Sequence, residues 1–342
     1  MPYQQTEVFR FGNAIVDDWE GKVNAWPLDE GMIDYVDGGS ATDENPYAAL
    51  NVIATPQFTL SGTEIDATAI TPALLSGTLH EADEVEANVA TGYHAIEFLL
   101  WGQDLNGTGP GAGNRPFTDY ASGDARTGGN CDRRAEYLNA ASDLLVSDLE
   151  YMVAQWGDQG AARSALLQDE GAGIAAILTG MGSLSYGEQA GERMKLGLML
   201  NDPEEEHDCF SDNTHNSHFY EGQGFWNVYN GAYTRVDGTV VTGESLKSLL
   251  AGFNPNLAGA LAADLDATMD KLGAIKTAAE GGFAYDMMLA RGNAEGEALI
   301  MGAVDALVDQ TRNIERAVTA LDLDGIGFEG SDSLDNPSAV FE

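Results

Sequence analysis

Apolar residues recur every three or four positions along most of this chain, which is the pattern of amphipathic helices. The predicted helices span residues 71–102, 131–156, 166–200, 244–252, 255–276 and 293–321. The third is long and rich in glycine, so we expect a break between Gly180 and Gly187. Helices therefore dominate the predicted structure.

Strand signals are few, and the best is a hairpin over Thr234–Thr242 that turns at Asp237-Gly238. The first 65 residues are turn-rich, and residues 201–217 form a polar, acidic stretch that reads as a loop. The prediction is an all-α fold of two helical-bundle halves with long loops and at most a small β-hairpin. The expected domains are 1–160 and 161–342, which agrees with a length of 342 residues.

The charge balance excludes one class of partner. The chain has 16 Lys and Arg against 55 Asp and Glu, a net charge of −39. A surface this negative repels phosphate backbones, so nucleic-acid binding through a basic patch is excluded, whereas a metal ion or a cationic partner is attracted. No run of 18 apolar residues occurs, so no transmembrane segment is predicted.

Familiar catalytic signatures are missing: the sequence has no His-Glu-x-x-His, Gly-x-Ser-x-Gly or phosphate-loop motif. The two cysteines, Cys131 and Cys209, are too few for a zinc site, and they form either one disulfide or two free thiols. The N-terminus lacks a signal peptide, so the protein is cytosolic or its leader lies outside this chain.

The segment Gly92-Tyr93-His94-Ala95-Ile96-Glu97 is the most informative one. Three residues turn a helix by about 300°, so His94 and Glu97 project from one face and can bind one metal ion. A second such pair, His218 and Glu221, shows that the spacing alone is weak evidence. A buried hydrogen-bonded pair is the alternative, although the apolar surroundings favour a sheltered functional site.

Two further stretches concentrate polar groups. Glu188 and Glu192 are four residues apart on a predicted helix, where like charges repel unless a cation or the neighbouring Arg193 compensates. We expect Glu192 and Arg193 to be at least partly buried, with Arg193 holding a carboxylate. His207 and His215 lie in the acidic loop, where a solvated surface loop is the alternative to a binding site.

Several blocks together resemble the imelysin family, in particular its iron-regulated protein A branch. The first is Gly92-x-His94-x-x-Glu97 with the following Phe98–Asp104. The others lie at residues 5–12, 19–28, 192–194, 206–215 and 328–334. The resemblance covers essentially the whole chain, and it implies an all-helical protein that is exported to the periplasm or the outer-membrane face of a bacterium.

The resemblance also implies a site between the two halves. His94 and Glu97 carry the family motif, and they are the expected metal ligands or, in an enzyme, the catalytic residues. Further ligands are expected among Glu192, His207 and His215, with Glu188, Arg193 and Asp212 lining the site. Such ligands suit iron, and zinc or calcium less well.

Three functions follow from this picture. The first is a periplasmic metal-binding protein of iron acquisition, with other iron-uptake components as partners. The second is a metallopeptidase, as which the family is often listed, although hydrolysis at zinc needs more ligands than His94 and Glu97 supply. The third is a module without metal that docks a cationic partner.

The implied oxidising compartment favours a Cys131–Cys209 disulfide. Family members usually carry a leader and a helical segment before the block at 5–12, so we also expect an N-terminally shortened chain whose anchor, if any, is unseen.

Overall fold

The structure, a computed structural model, describes residues 6–38, 42, 45–323 and 325–341. Gln5, from the first family-like block, lies outside this part. The α-helices are α1 Ala14–Val23, α2 Glu30–Ile33, α3 Pro72–Leu74, α4 Gly92–Trp101, α5 Cys131–Gln155, α6 Ala161–Leu167, α7 Glu170–Ser183, α8 Gly197–Leu200, α9 Thr214–Asn230, α10 Leu246–Phe253, α11 Pro255–Glu280, α12 Tyr285–Leu289, α13 Ala294–Ala320 and α14 Asp332–Asp335. The predicted all-α class is confirmed.

Other helical geometries complete the chain. Two π-helical segments, Leu75–Leu79 and Leu184–Leu196, follow α3 and α7 directly. Short 3₁₀ turns lie at Arg10–Gly12, Ala82–Glu84, Phe117–Tyr120, Gly123–Ala125, Pro203–Glu205 and Ala339–Phe341. None of the described helices is long and apolar enough to span a bilayer.

The described residues contain two antiparallel hairpins. β3 (Ala232–Thr234) pairs with β4 (Val240–Thr242), in the region where the sequence predicts a hairpin. β1 (Gln57–Leu60) pairs with β2 (Thr63–Asp66) in the turn-rich N-terminal stretch, where the strand signal is weak because most side chains of both strands are polar.

The described chain divides into two compact units. Unit 1 takes the residues up to Asp17, Gly107–Pro110 and those from Gln155 onward, and unit 2 takes Asp18–Asn106 and Gly111–Ala154. The core of unit 1 lies among α7, the segment Leu184–Leu196, α9, α11 and α13, where leucines of α11 and α13 are almost fully buried. The expected domains 1–160 and 161–342 stay a prediction.

The strongly periodic helices are confirmed, since α5, α10, α11 and α13 lie where the sequence places them. The single helix expected over 71–102 is wrong. Glu81 and Asp83 adopt left-handed backbone angles, with φ of 53° and 59°, which end the helical run, and α4 begins only at Gly92. The helix α9 was missed, because its polar first turn resembles the acidic loop before it.

The expected disulfide is also wrong. Cys131 and Cys209 are both buried, and neither forms a disulfide. Cys131 begins α5 in unit 2, where its thiol donates to the carbonyl oxygen of Thr127 at 3.3 Å, and Cys209 belongs to unit 1. The buried thiol of Cys131 therefore packs as a small apolar group with a weak donor.

We predict that the unreduced protein shows two titratable thiols after denaturation, and that both react slowly in the native state because each sulfur is shielded. A thiol titration with Ellman's reagent, with and without guanidinium, measures this. Absence of reactive thiols in the denatured, unreduced sample would contradict the structure.

Candidate functional site

Gly92 fixes the start of α4 and with it the position of the site in unit 2. Its φ is +83°, and a Cβ at this position would lie 2.6 Å from the carbonyl oxygen of Val23, at the end of α1. Side chains other than hydrogen are therefore excluded, both by the backbone angle and by the close approach of the two helices. This explains why a glycine precedes His94 in the motif.

His94 and Glu97 lie together on α4, as their spacing predicts. Nδ1 of His94 is 3.2 Å from Oε2 of Glu97, and the two residues are only 1% and 8% exposed. The ring of Trp26 packs edge-on against the imidazole, with 5.1 Å between the centroids. The pair is therefore held in a sheltered environment inside unit 2.

Asn24 and Glu20 contact the other side of the imidazole. Nε2 of His94 is 3.2 Å from Oδ1 of Asn24, and Nδ2 of Asn24 donates to Oε1 of Glu20 at 3.1 Å. Because a carboxylate accepts, the amide nitrogen of Asn24 faces Glu20 and its oxygen faces the ring. A neutral His94 then carries its proton on Nε2, which leaves Nδ1 as an acceptor.

The consequence is that two acceptors, Nδ1 of His94 and Oε2 of Glu97, face each other. This arrangement is unfavourable unless a cation or a second proton lies between them. Bond lengths of about 2.0–2.2 Å from a metal ion to nitrogen and oxygen place two neighbouring ligand atoms about 3 Å apart. The observed 3.2 Å is therefore suitable for chelation of one ion.

Glu20 and Asn24 were not among the predicted site residues, because they lie about 70 positions before His94. A signal was present: both fall in the family-like block at 19–28, four residues apart, so they share one side of α1 and its end.

Arg193 is the centre of a charged cluster in unit 1, and its predicted burial is confirmed. Its guanidinium donates to Oε1 of Glu188 at 2.9 Å, to Glu7 at 2.6 Å and to Glu221. Arg10 donates to the same oxygen of Glu188 at 3.2 Å. Burial alone would raise the pKa of Glu188, but the two guanidinium groups outweigh it and lower that pKa.

Glu192 does not join this cluster, and its expected burial is wrong, because it is exposed on a surface cavity beside Asp332 and Asp335. The reason is the π-helical geometry of Leu184–Leu196. A π-helix bonds residue i to i+5, so side chains five apart come together instead of those four apart. Arg193 therefore reaches Glu188, and Glu192 points elsewhere.

The remaining predicted residues, His207, His215 and Asp212, belong to unit 1. His207 is buried. His215 is half-buried on α9 and lies 3.1 Å from Nδ2 of Asn216, while burial, with Lys276 nearby, lowers its pKa. Asp212 takes a left-handed backbone angle just before α9.

The fold is all-helical, and the buried pair of His94 and Glu97 follows Gly92, a glycine of positive φ. These features define an all-helical protein that carries the Gly-x-His-x-x-Glu motif at the start of a helix. The chain belongs to the imelysin family, whose model, described as Imelysin, matches residues 1–314. It is similar in structure to an iron-regulated protein A precursor from Parabacteroides distasonis, with a TM-score of 0.61 and 18% identity over 94% of this chain and 80% of that one. A comparison with curated protein sequences finds no match.

We predict that Gly92→Ala destabilises the protein by at least about 1–2 kcal/mol, because a left-handed angle alone costs this much for alanine and the contact with Val23 adds to it. Chemical denaturation measures the change. The control is Gly259→Ala on α11, where a Cβ would meet open space, so that variant should be more stable by about 0.5–1 kcal/mol. Equal behaviour of the two variants would contradict the role given to Gly92.

We predict that Arg193→Ala costs about 3–5 kcal/mol at pH 7, because Glu7 and Glu221 stay buried without their cation. The loss should shrink as the pH falls below about 4.5, because Arg193 and Arg10 lower the pKa of Glu188. The stability that this lowered pKa gives is present above the unfolded-state pKa and is lost as the pH falls through the folded-state pKa. Urea denaturation at pH 7 and at pH 3.5 measures both values.

Arg312→Ala is the matched control for this prediction, because its pair with Asp309 is exposed and is worth about 1 kcal/mol at most. A loss for Arg193→Ala that is as small as that of the control would show that the buried cluster does not depend on Arg193.

Proposed function

We propose that this protein binds a metal ion at His94 and Glu97 and that it serves iron acquisition outside the cytoplasm. The observation that carries the proposal is the buried contact between Nδ1 of His94 and Oε2 of Glu97, two acceptors 3.2 Å apart. A cation between them replaces a repulsive contact by two favourable ones.

Three residues of unit 2, Glu20, Asn24 and Trp26, support this contact. Glu20 orients Asn24, and Asn24 holds the proton of His94 on Nε2, which keeps Nδ1 ready to bind. Such outer hydrogen bonds fix the tautomer of a ligating histidine and raise its basicity. Trp26 covers the imidazole and limits the access of water. The bound ion is cargo in this proposal, and no bond of another molecule is broken.

The choice of iron rests on two arguments. An imidazole together with a carboxylate suits iron better than calcium, which prefers oxygen alone. The structurally similar protein from Parabacteroides distasonis is described as an iron-regulated protein A precursor. By analogy, we propose that this chain serves iron acquisition and acts outside the cytoplasm. The net charge of −39 also attracts cations to the surface.

We predict that His94→Ala and Glu97→Gln each lose one bound Fe²⁺ per chain, and that Asn24→Ala weakens binding about 10–100-fold, the usual effect of losing an outer-shell partner. Anaerobic equilibrium dialysis with elemental analysis measures both. Glu86→Gln, an exposed carboxylate of the same unit, is the matched control and should bind as the native chain does.

Unchanged Fe²⁺ binding in both His94→Ala and Glu97→Gln would refute the proposal. Cleavage of peptides by the zinc-loaded protein, lost with His94→Ala, would instead support the metallopeptidase.

A further inference from the structure

The C-terminal end of α1 lies next to the proposed metal site. Asn24, whose side-chain oxygen contacts His94, directly follows this helix. Its backbone N–H donates to the carbonyl oxygen of Glu20 at 2.8 Å and closes the last turn. The carbonyl groups of Gly21 and Lys22 come after that bond, at the end where a helix has no internal donors for them. Their partners therefore have to come from elsewhere in the chain.

Two side chains from the segment before α4 supply these donors. Nε2 of His80 lies 2.9 Å from the carbonyl oxygen of Gly21, and the hydroxyl of Thr91 donates to that of Lys22 at 2.9 Å. Thr91 is also the residue that precedes the first turn of α4. His80 and Thr91 therefore cap the end of α1 and connect it to the start of the helix that carries His94.

His80 is engaged through both of its ring nitrogens. A carbonyl oxygen only accepts, so Nε2 carries the proton that faces Gly21. Nδ1 then accepts from the backbone N–H of Ala90 at 3.4 Å. Burial lowers the pKa of His80 more than the charge of Glu81 raises it, so the ring is neutral at pH 7. His80 thus contacts the backbone on both sides and has no nitrogen left for a metal ion.

Asn24 transmits the position of this cap to the metal site. Its amide oxygen is 3.2 Å from Nε2 of His94, and its amide nitrogen donates to Glu20 at 3.1 Å. Both contacts depend on where the chain leaves α1, because hydrogen bonds of this length are lost when the atoms move slightly apart. Without the donors of His80 and Thr91 the end of α1 would fray, and Asn24 would move with it.

The position of Asn24 decides which nitrogen of His94 carries the proton. While Asn24 accepts from Nε2, Nδ1 has no proton and is ready to bind an ion together with Glu97. When Asn24 moves away, the carboxylate of Glu97, 3.2 Å from Nδ1, attracts the proton to that nitrogen and accepts it in a charge-assisted hydrogen bond. The nitrogen that should chelate the ion is then blocked.

We propose that His80 and Thr91 are positioning residues of the metal site at His94 and Glu97. By capping the end of α1, they hold Asn24 where its oxygen keeps the proton of His94 on Nε2. Both act through Asn24 and not on the ion itself. This inference rests on the proposed function, and it makes the segment before the Gly-x-His-x-x-Glu motif a determinant of the affinity of the site.

The first test is anaerobic equilibrium dialysis of the full chain with Fe²⁺. Thr91→Val and His80→Leu, which remove the donors and keep the bulk of the side chains, should each weaken binding about tenfold, the lower end of the effect of losing an outer-shell partner. The matched controls Thr91→Ser and His80→Gln keep a hydroxyl and an N–H donor, and they should bind as the native chain does. Thr91→Val changes one hydroxyl only, so it should fold even if His80→Leu does not.

Two further readouts separate positioning from a purely structural role. In a chain that already carries Asn24→Ala, Thr91→Val should cause no additional loss of Fe²⁺ affinity, because the residue through which it acts is absent. Nitrogen NMR of the metal-free chain with isotope-labelled histidine locates the proton of His94 at a pH where the ring carries only one. The proton should lie on Nε2 in the native chain and in Thr91→Ser, and shift towards Nδ1 in Thr91→Val.

An unchanged proton position in Thr91→Val, or an Fe²⁺ affinity that is equal in Thr91→Val and Thr91→Ser, would overturn the proposal. A loss of stability without either change would mean that the cap is only structural, which also overturns it. Failure of the proposed function looks different: the native chain would then bind no Fe²⁺, while the NMR comparison would still decide whether the cap positions His94.

Discussion

Arg193 donates to three carboxylates at once, and the arrangement of unit 1 depends on this contact. Glu7 comes from the N-terminal segment, Glu188 from the π-helical segment and Glu221 from α9, so one guanidinium fastens three parts of the chain that are distant in sequence. Breaking such a buried pair by removing one partner is costly, because the other charge stays behind. The planar guanidinium suits this task, since it offers five donors in a fixed geometry.

In unit 2, arginines also pair with a buried carboxylate. Arg134 donates to both oxygens of Asp34, at 2.6 and 2.9 Å, and Arg115 joins the same carboxylate at 2.6 Å. With 16 basic residues against 55 acidic ones, cations are scarce in this chain. Glu97 lies 3.2 Å from the imidazole of His94, and the proposed metal ion rests on this contact.

How much the sequence predicts depends on the range of the interaction. Helices such as α11 and α13 follow from the apolar period alone, and the shared face of His94 and Glu97 follows from a spacing of three. The contact of Asn24 with His94 spans 70 residues and has no local signal beyond its block. The prediction that Glu192 is buried is wrong for another reason. An α-helix and a π-helix have the same apolar pattern over a short stretch, but they bring different side chains together.

The π-helical segment Leu184–Leu196 contacts both the charged cluster and His218. Its Arg193 binds the carboxylates, and Nε2 of its Gln189 donates to the backbone oxygen of His218 at 2.9 Å. One turn of unusual geometry thus fixes both Glu221 and His218, which lie three residues apart on α9. Because π-helical turns are rarely stable without tertiary support, their retention commonly marks a functional position. Here that support includes the ion pairs of Arg193 and the hydrogen bond of Gln189, which connect the segment to Glu221 and His218 in one polar network.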